Sequence, residues 1–234
     1  MADKSHMRIL AVDTATTSCS VAIVDQTSLI SEFTIDREET HSKHLMDMIM
    51  TVIRMSGINF SDLDGFTVTR GPGSFTGLRI GISTIKGLAM ASEKPVVGVS
   101  SLETLALQAS YSQDLICPIL DARKGEVYFS RYRFQKGHLK RQTKERVAPP
   151  DKAVDNLKES CLFVGNGALL YKEMILEKMG DFASFAPMIQ NTIRASTLAY
   201  LSMAKFENNN TDDVEKIEPY YIRKSDAELN LTVS

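Results

Sequence analysis

The sequence predicts an α/β protein whose two halves repeat one order of elements. Three observations predict it: short apolar runs of strand length, apolar stripes at helical spacing between them, and an acid closing the first strand of each half, Asp13 and Asp121. In chain order, Arg8 to Asp13 is an apolar run ending in an acid and a Thr/Ser-rich turn, the pattern of a buried strand. Ser18 to Val24 is a second strand, and Leu29, Ser31, Phe33 and Ile35 alternate with Ile30, Glu32 and Thr34 to give a third. Leu45, Met48, Ile49, Val52 and Ile53 form an i, i+3, i+4, i+7, i+8 stripe, so a helix runs from about Ser42 to Met55 and ends at Gly57. Phe66 to Arg70 is the fourth strand. A glycine loop leads from it into a helix over about Thr76 to Ala91, with Leu78, Ile82, Ile85 and Ala89 on one side. Pro95 precedes a strand Val96 to Val99, and Leu102 to Ala109 opens another helix.

The second half follows suit. Leu115 to Asp121 is an apolar strand, and Glu126–Phe134 with Leu139–Val147 reads as a hairpin around Lys136-Gly137. After Pro149 and Pro150, helices near Asp151–Leu157 and Ala168–Met179 flank a strand Cys161–Val164. A last helix spans about Ser196 to Phe206, before the polar run Glu207–Asp213. Three antiparallel strands feeding parallel strand–helix units is the ribonuclease H-like order. Two copies make the actin/hexokinase/Hsp70 (ASKHA) architecture, in which nucleotide binds where the two acidic strand ends converge. The expected division is an N-terminal lobe 7–105 with the helix at about 191–206 packing on it, a C-terminal lobe 106–190 and a polar tail 207–234. Residues 1–6, with Ser-His before a second Met, read as a cloning remnant, so the natural chain is expected to start at Met7 with no room for a signal peptide.

Composition excludes several function classes. The 234 residues carry 27 Lys and Arg against 29 Asp and Glu, a net charge of -2, which is far from a surface made chiefly for nucleic acid. No apolar run approaches the ~20 residues of a membrane span. Cys19, Cys117 and Cys161 lie far apart with no CxxC pair, which fits neither a disulfide framework nor a zinc knuckle and points to reducing cytoplasm. Trp is absent and Met is 11, favouring adaptable apolar surfaces.

Four segments carry candidate chemistry. Arg70-Gly-Pro-Gly-Ser-Phe-Thr-Gly77 joins a strand to a helix N-terminus, where Gly71 and Gly73 let unpaired N–H groups approach an anion. It lacks the Gly-Lys-Ser/Thr of a Walker A loop, and Thr76 stands where the dinucleotide fingerprint wants Gly. A plain tight turn explains it equally. Asp13-Thr-Ala-Thr-Thr-Ser18 has the place of a first phosphate loop, with Asp13 as a magnesium ligand, yet has none of the glycines such loops carry. A hairpin turn is the plainer account. His41 and His44 have metal-ligand spacing without a third ligand nearby. The run from Arg131 to Arg146 holds seven cations against Glu145, a solvated hairpin face or an RNA phosphate contact. Cys19 reads as a small buried hydrophobe, and no GxSxG elbow supports a hydrolytic triad.

Two helices expose more apolar or small surface than one core needs, so a partner surface is expected there: Leu45, Met46, Met48 and Ile49 on the first, Gly77, Leu78, Arg79, Gly81, Ile82 and Ile85 on the second, with Arg70 beside them. Together, Ile9-Leu-Ala-Val-Asp-Thr-Ala-Thr16, His41-Ser42, Arg70-Gly-Pro-Gly-Ser-Phe-Thr-Gly-Leu-Arg-Ile-Gly81 and Pro95-Val-Val-Gly-Val-Ser-Ser-Leu102 resemble the TsaB (YeaZ) family. The resemblance implies a cytoplasmic, non-catalytic subunit for threonylcarbamoylation of tRNA adenosine beside the anticodon, paired with a TsaD-like catalytic paralogue and a TsaE-like ATPase. It implies no intrinsic cofactor, with ATP or ADP confined to the partner interface, a homodimer when alone, tRNA contact through the complex, and no membrane. In the catalytic paralogue a His-Leu-Glu-Gly-His metal motif follows the corresponding strand. Here Ser101-Leu-Glu-Thr-Leu105 stands in its place, and neither Ser101 nor Leu105 replaces a histidine ligand. The alternatives are a small-molecule kinase or ATPase of the same fold, using Asp13 and Gly71–Gly77, and a glycoprotease-like peptidase.

Overall fold

The computed structural model describes residues 7–37 and 40–223; the expectations for residues 1–6 and for the end of the tail lie outside them. The elements are β1 (Ile9–Asp13), β2 (Ser18–Val24), β3 (Leu29–Asp36), α1 (Leu45–Ser56), β4 (Gly65–Gly71), α2 (Phe75–Ser92), β5 (Val96–Ser100), α3 (Ser101–Gln108), β6 (Leu115–Arg123), β7 (Glu126–Phe129), β8 (Tyr132–Gln135) and β9 (His138–Arg141). They continue with β10 (Arg146–Ala148), α4 (Pro150–Ala153), β11 (Cys161–Val164), α5 (Asn166–Leu170), α6 (Lys172–Met179), β12 (Ala183–Phe185) and α7 (Ala195–Glu207).

One sheet has the order β3-β2-β1-β4-β5, and the other β10-β7-β6-β11-β12. Both are the ribonuclease H-like order: the first strand of each half lies between an antiparallel partner, β2 or β7, and a parallel one, β4 or β11. The architecture is therefore α/β of the two-lobed actin/hexokinase/Hsp70 class. Two compact units divide the described residues: those within 7–70, 76–100 and 194–219, and those within 71–75, 101–193 and 220–223.

In the first unit, strand alternation sorts the core onto two faces. Leu10, Val12, Cys19, Val21, Ile23, Phe66 and Val68 join one cluster with the buried sides of α1 and α2. Ile9, Ala11, Ala22, Val24, Val97 and Val99 face α7 through Ala195, Leu198, Ala199 and Phe206. Side chains two residues apart share a face, so strands covered by helices on both sides are apolar throughout. Gly57 closes α1 at φ 71°, the left-handed turn glycine permits. After α7 the chain returns to the edge strand β5. Val96 bridges to Asp212, the Asp212 carboxylate accepts the Gly98 N–H at 2.7 Å, and Ile217 is buried. The stretch after α7 is thus tied to the first unit through Asp212 and Ile217, while most of its other side chains are exposed.

The second unit departs from expectation in four places, the first being that the helix expected near Asp151–Leu157 is the single turn α4, Pro150–Ala153. The long hairpin strand breaks at Ser130-Arg131, where Ser130 Oγ donates to the Thr143 carbonyl, so β7 pairs with β10 while β8 pairs with β9. The single helix expected over 168–179 is two helices meeting at Tyr171. β12 is a short parallel edge strand that the sequence analysis does not include.

Candidate functional site

The end of β1 builds a buried polar cluster in the first unit. Asp13 shares the parity of Ile9 and Ala11, and the parallel register Val12↔Val68 sets Thr69 beside it on the neighbouring strand. Thr69 Oγ1 donates to Asp13 Oδ1 at 2.8 Å, and the Ala15 N–H donates to the same oxygen at 3.2 Å. Asp13 Oδ2 is buried without a partner. Burial pushes the carboxyl up to about 7, against the two hydrogen bonds. Burial, followed by the nearby Asp13 charge, also pushes the Cys19 thiol up to about 12, so that sulfur is no nucleophile near neutral pH.

The loop after Asp13 spends its donors internally. Thr14 Oγ1 donates to the Gly77 carbonyl at 2.8 Å, Thr17 Oγ1 donates to Asp36 Oδ1 at 2.9 Å, and Thr16 and Ser18 share a hydroxyl bond at 2.8 Å. His41 donates from Nε2 to the Thr16 carbonyl at 2.8 Å, which fixes the loop from the start of the α1 region. His41 is thereby a strut, and among the described residues no group of three or more His, Cys, Asp or Glu could hold a metal ion. The first turns of α2 lie directly on Thr14: a Cβ at Gly81 would sit 2.3 Å from Thr14 Oγ1. Glycine at 81 is a requirement of close approach.

The expected site residues divide by burial. Leu45, Met48, Ile49, Ile82 and Ile85 are buried in the first unit's core, Leu78 is buried too, and Gly77 and Gly81 are buried positions with no side chain to offer a partner. This corrects their placement on a contact surface. The stripe that marks a helix face as apolar is the face the sheet covers. Met46 (46% exposed), Met50 (59%) and Met55 (73%) on α1 remain at the surface, as does Arg79 on α2. Arg70 is engaged within its unit: its stem covers Gly98 and its guanidinium lies 3.9 Å from Asp212. Gly71 and Gly73 group with the second unit, and Asp13 with the first. Thr69 and Asp212 are absent from the sequence-derived set. The Thr-Val-Thr alternation of β4 was the available signal for Thr69; Asp212 sits in a polar run that carries none.

Ser101 and Leu105 open α3, both wholly buried, and Ser101 Oγ lacks a hydrogen-bond partner. Leu105 Cδ1 stands 3.1 Å from where a Gly165 Cβ would be, so the position is filled with packed carbon.

The family model described as TsaD, tRNA N6-adenosine threonylcarbamoyltransferase, matches residues 29–231. The tRNA threonylcarbamoyladenosine biosynthesis protein TsaB of Bacillus subtilis is 33% identical over 95% of this chain and 96% of its own. The TsaB protein of Escherichia coli is 32% identical over 94% and 96%. Among solved structures, YeaZ from Pseudomonas aeruginosa superposes with a TM-score of 0.79 at 28% identity, covering 92% of this chain and 99% of that one. Near-complete coverage in both directions, on the fold and motif residues described above, shows that the chain belongs to the TsaB (YeaZ) family.

Proposed function

We propose that this protein is a scaffold and activator of tRNA adenosine threonylcarbamoylation and not its catalyst. The name shared by its relatives supports the reaction. The observation that carries the non-catalytic part is the start of α3, where Ser101 and Leu105 occupy the place of the paralogue's two metal-binding histidines and are packed in the interior. A hydrocarbon side chain offers no lone pair, so no metal is held there to polarise an activated threonylcarbamoyl group.

The chain acts by dimerising with a TsaD-like paralogue, and the pair recruits a TsaE-like ATPase. Met46, Met50 and Met55 on α1 with Arg79 on α2 are the surface offered, and in the paralogue's absence a second copy takes the same surface. One shared surface makes the two assemblies mutually exclusive. ATP or ADP, where present, sits at the partner interface, tRNA meets the chain through the complex, and the setting is the cytoplasm. Among the described residues no helix is long and apolar enough to cross a membrane.

A kinase or ATPase reading rests on Asp13. Burial holds its carboxyl well above the usual carboxylate range, and the loop hydroxyls that would donate to phosphate already donate internally. For a peptidase, Cys19 is an unreactive thiol. The deciding experiment measures tRNA threonylcarbamoylation and ATP hydrolysis by the purified chain, alone and with its paralogue. Activity only with the paralogue supports the proposal; transfer or steady ATP turnover by the chain alone overturns it.

A further inference from the structure

The second unit contains a cleft of about 370 Å³ that the proposed function does not use. Phe129 and Ala148, from the paired strands β7 and β10, give it apolar walls, while Arg131, Arg146 and Lys152 bring positive charge. Arg131 sits at the break between β7 and β8. Its Nη2 donates to the carbonyls of Asp155 at 2.8 Å and Ala153 at 3.3 Å, which clamps one edge of the guanidinium without neutralising it. Its Nε is buried without a partner. Thr143, also on the wall, receives the Arg131 backbone N–H on Oγ1 at 3.1 Å, leaving its hydroxyl proton available. Asn156, on the rim, holds a left-handed φ of 61°.

The charge balance selects the ligand. The lining cations are Arg131, Arg146 and Lys152, and the only carboxylate among the lining residues is Asp155, which Lys152 contacts at 2.9 Å. Lys152 also lies 3.7 Å from Asp151, which Lys178 approaches at 3.9 Å, and with that pair included the local charge is +2. A phosphate monoester carries about −1.5 to −2 near pH 7 and presents three acceptor oxygens to arginine and hydroxyl donors. The volume falls within the ~300–1,000 Å³ of small-molecule sites, and the aromatic wall suits a flat apolar body. We propose that this cleft binds a free small molecule of nucleoside monophosphate size, its phosphate on Arg131 and Arg146 and its ring system against Phe129. The inference does not depend on the proposed role in tRNA modification.

The test titrates the full-length protein with AMP, adenosine, inorganic phosphate and a short unphosphorylated oligoribonucleotide, followed by calorimetry and by amide chemical shifts. The expected result is saturable AMP binding at least tenfold tighter than adenosine or inorganic phosphate, with shifts centred on Thr143, Lys152 and Asn156. Arg146→Gln, an exposed change that leaves the fold intact, weakens AMP at least tenfold, and Lys152→Gln weakens it less, since Lys152 is shared with Asp155. Equal binding of AMP and adenosine, equal binding of AMP and inorganic phosphate, or an AMP affinity unmoved by Arg146→Gln overturns the proposal. Binding of the oligoribonucleotide alone also overturns it, by assigning the cleft to RNA.

Discussion

The contact between Gly81 and Thr14 makes a prediction whose sign depends on the background in which it is tested. A Cβ at residue 81 would stand 2.3 Å from Thr14 Oγ1, roughly 1 Å inside ordinary contact. Thr14 is wholly buried and hydrogen-bonded to the Gly77 carbonyl, so the oxygen is not a flexible chain end that swings aside. Gly81→Ala therefore costs about 1–3 kcal/mol of overpacking and about 1 kcal/mol for the displaced hydrogen bond. It returns about 1 kcal/mol, because alanine is the better helix former. The net loss is about 1–3 kcal/mol, or roughly 2–12 °C in melting temperature for a chain of this size. Thr14→Ala removes the obstructing oxygen and leaves the Thr14 Cβ at 3.5 Å, an ordinary contact. In that background the same Gly81→Ala change stabilises by up to about 1 kcal/mol. Urea unfolding of the wild type, both single variants and the double variant closes a cycle with a coupling of about 2–4 kcal/mol. Equal destabilisation by Gly81→Ala in both backgrounds would refute the argument, and with it the account of why this glycine belongs to the motif.

Other outcomes follow from the same placements. Met48→Glu and Ile82→Glu bury a carboxylate in the first unit's core and unfold it, whereas Met46→Glu and Met50→Glu stay folded within about 0.5 kcal/mol and lose association; circular dichroism with light scattering separates the cases. Asp13 has its folded carboxyl raised to about 7 against an ordinary 3.8, so its contribution to stability is best below about pH 4, declines as pH rises towards 7 and is level above. The stability difference between wild type and Asp13→Asn, measured by urea midpoints from pH 4.5 to 8, should fall by at most about 1.4 kcal/mol per pH unit and stop falling past 7. A flat difference would mean that the carboxylate is well solvated. Asp212→Ala leaves the Gly98 N–H without its acceptor and costs about 1–3 kcal/mol, while Arg70→Ala costs less than about 1 kcal/mol because that pair is half-exposed; thermal melts rank the two.

What the sequence revealed and what it hid have physical causes. β2 and β11 are bounded as expected, because covered strands are apolar throughout and end where polarity returns. The helical stripe on α1 was legible as a period, but a period says only that a face is buried, not what buries it; Met48 was therefore placed against a partner when its own sheet covers it. The break at Ser130-Arg131 depends on Thr143, thirteen residues from Ser130, and a long-range bond leaves no local mark. The division at Tyr171 of the helix expected over 168–179 has no glycine or proline at that point to announce it. At the candidate site the strand-end Asp13 was readable, while its partner Thr69 and the unpaired Oδ2 needed the register of β1 against β4.

The chain order of the two units has a consequence for synthesis on the ribosome. Most of the second unit is continuous, residues 101–193, but the first is completed only when residues 194–219 arrive. Until then the sheet face of Ile9, Ala11, Ala22, Val24, Val97 and Val99 lacks the α7 side chains that cover it. At about 5–20 residues per second, the stretch from β5 to the end of α7 takes roughly 5–20 seconds to emerge. The half that begins first is thus finished last, and its apolar sheet face stays uncovered for that time. Any translational pause between the codons for Ser100 and Ala195 would lengthen that exposure.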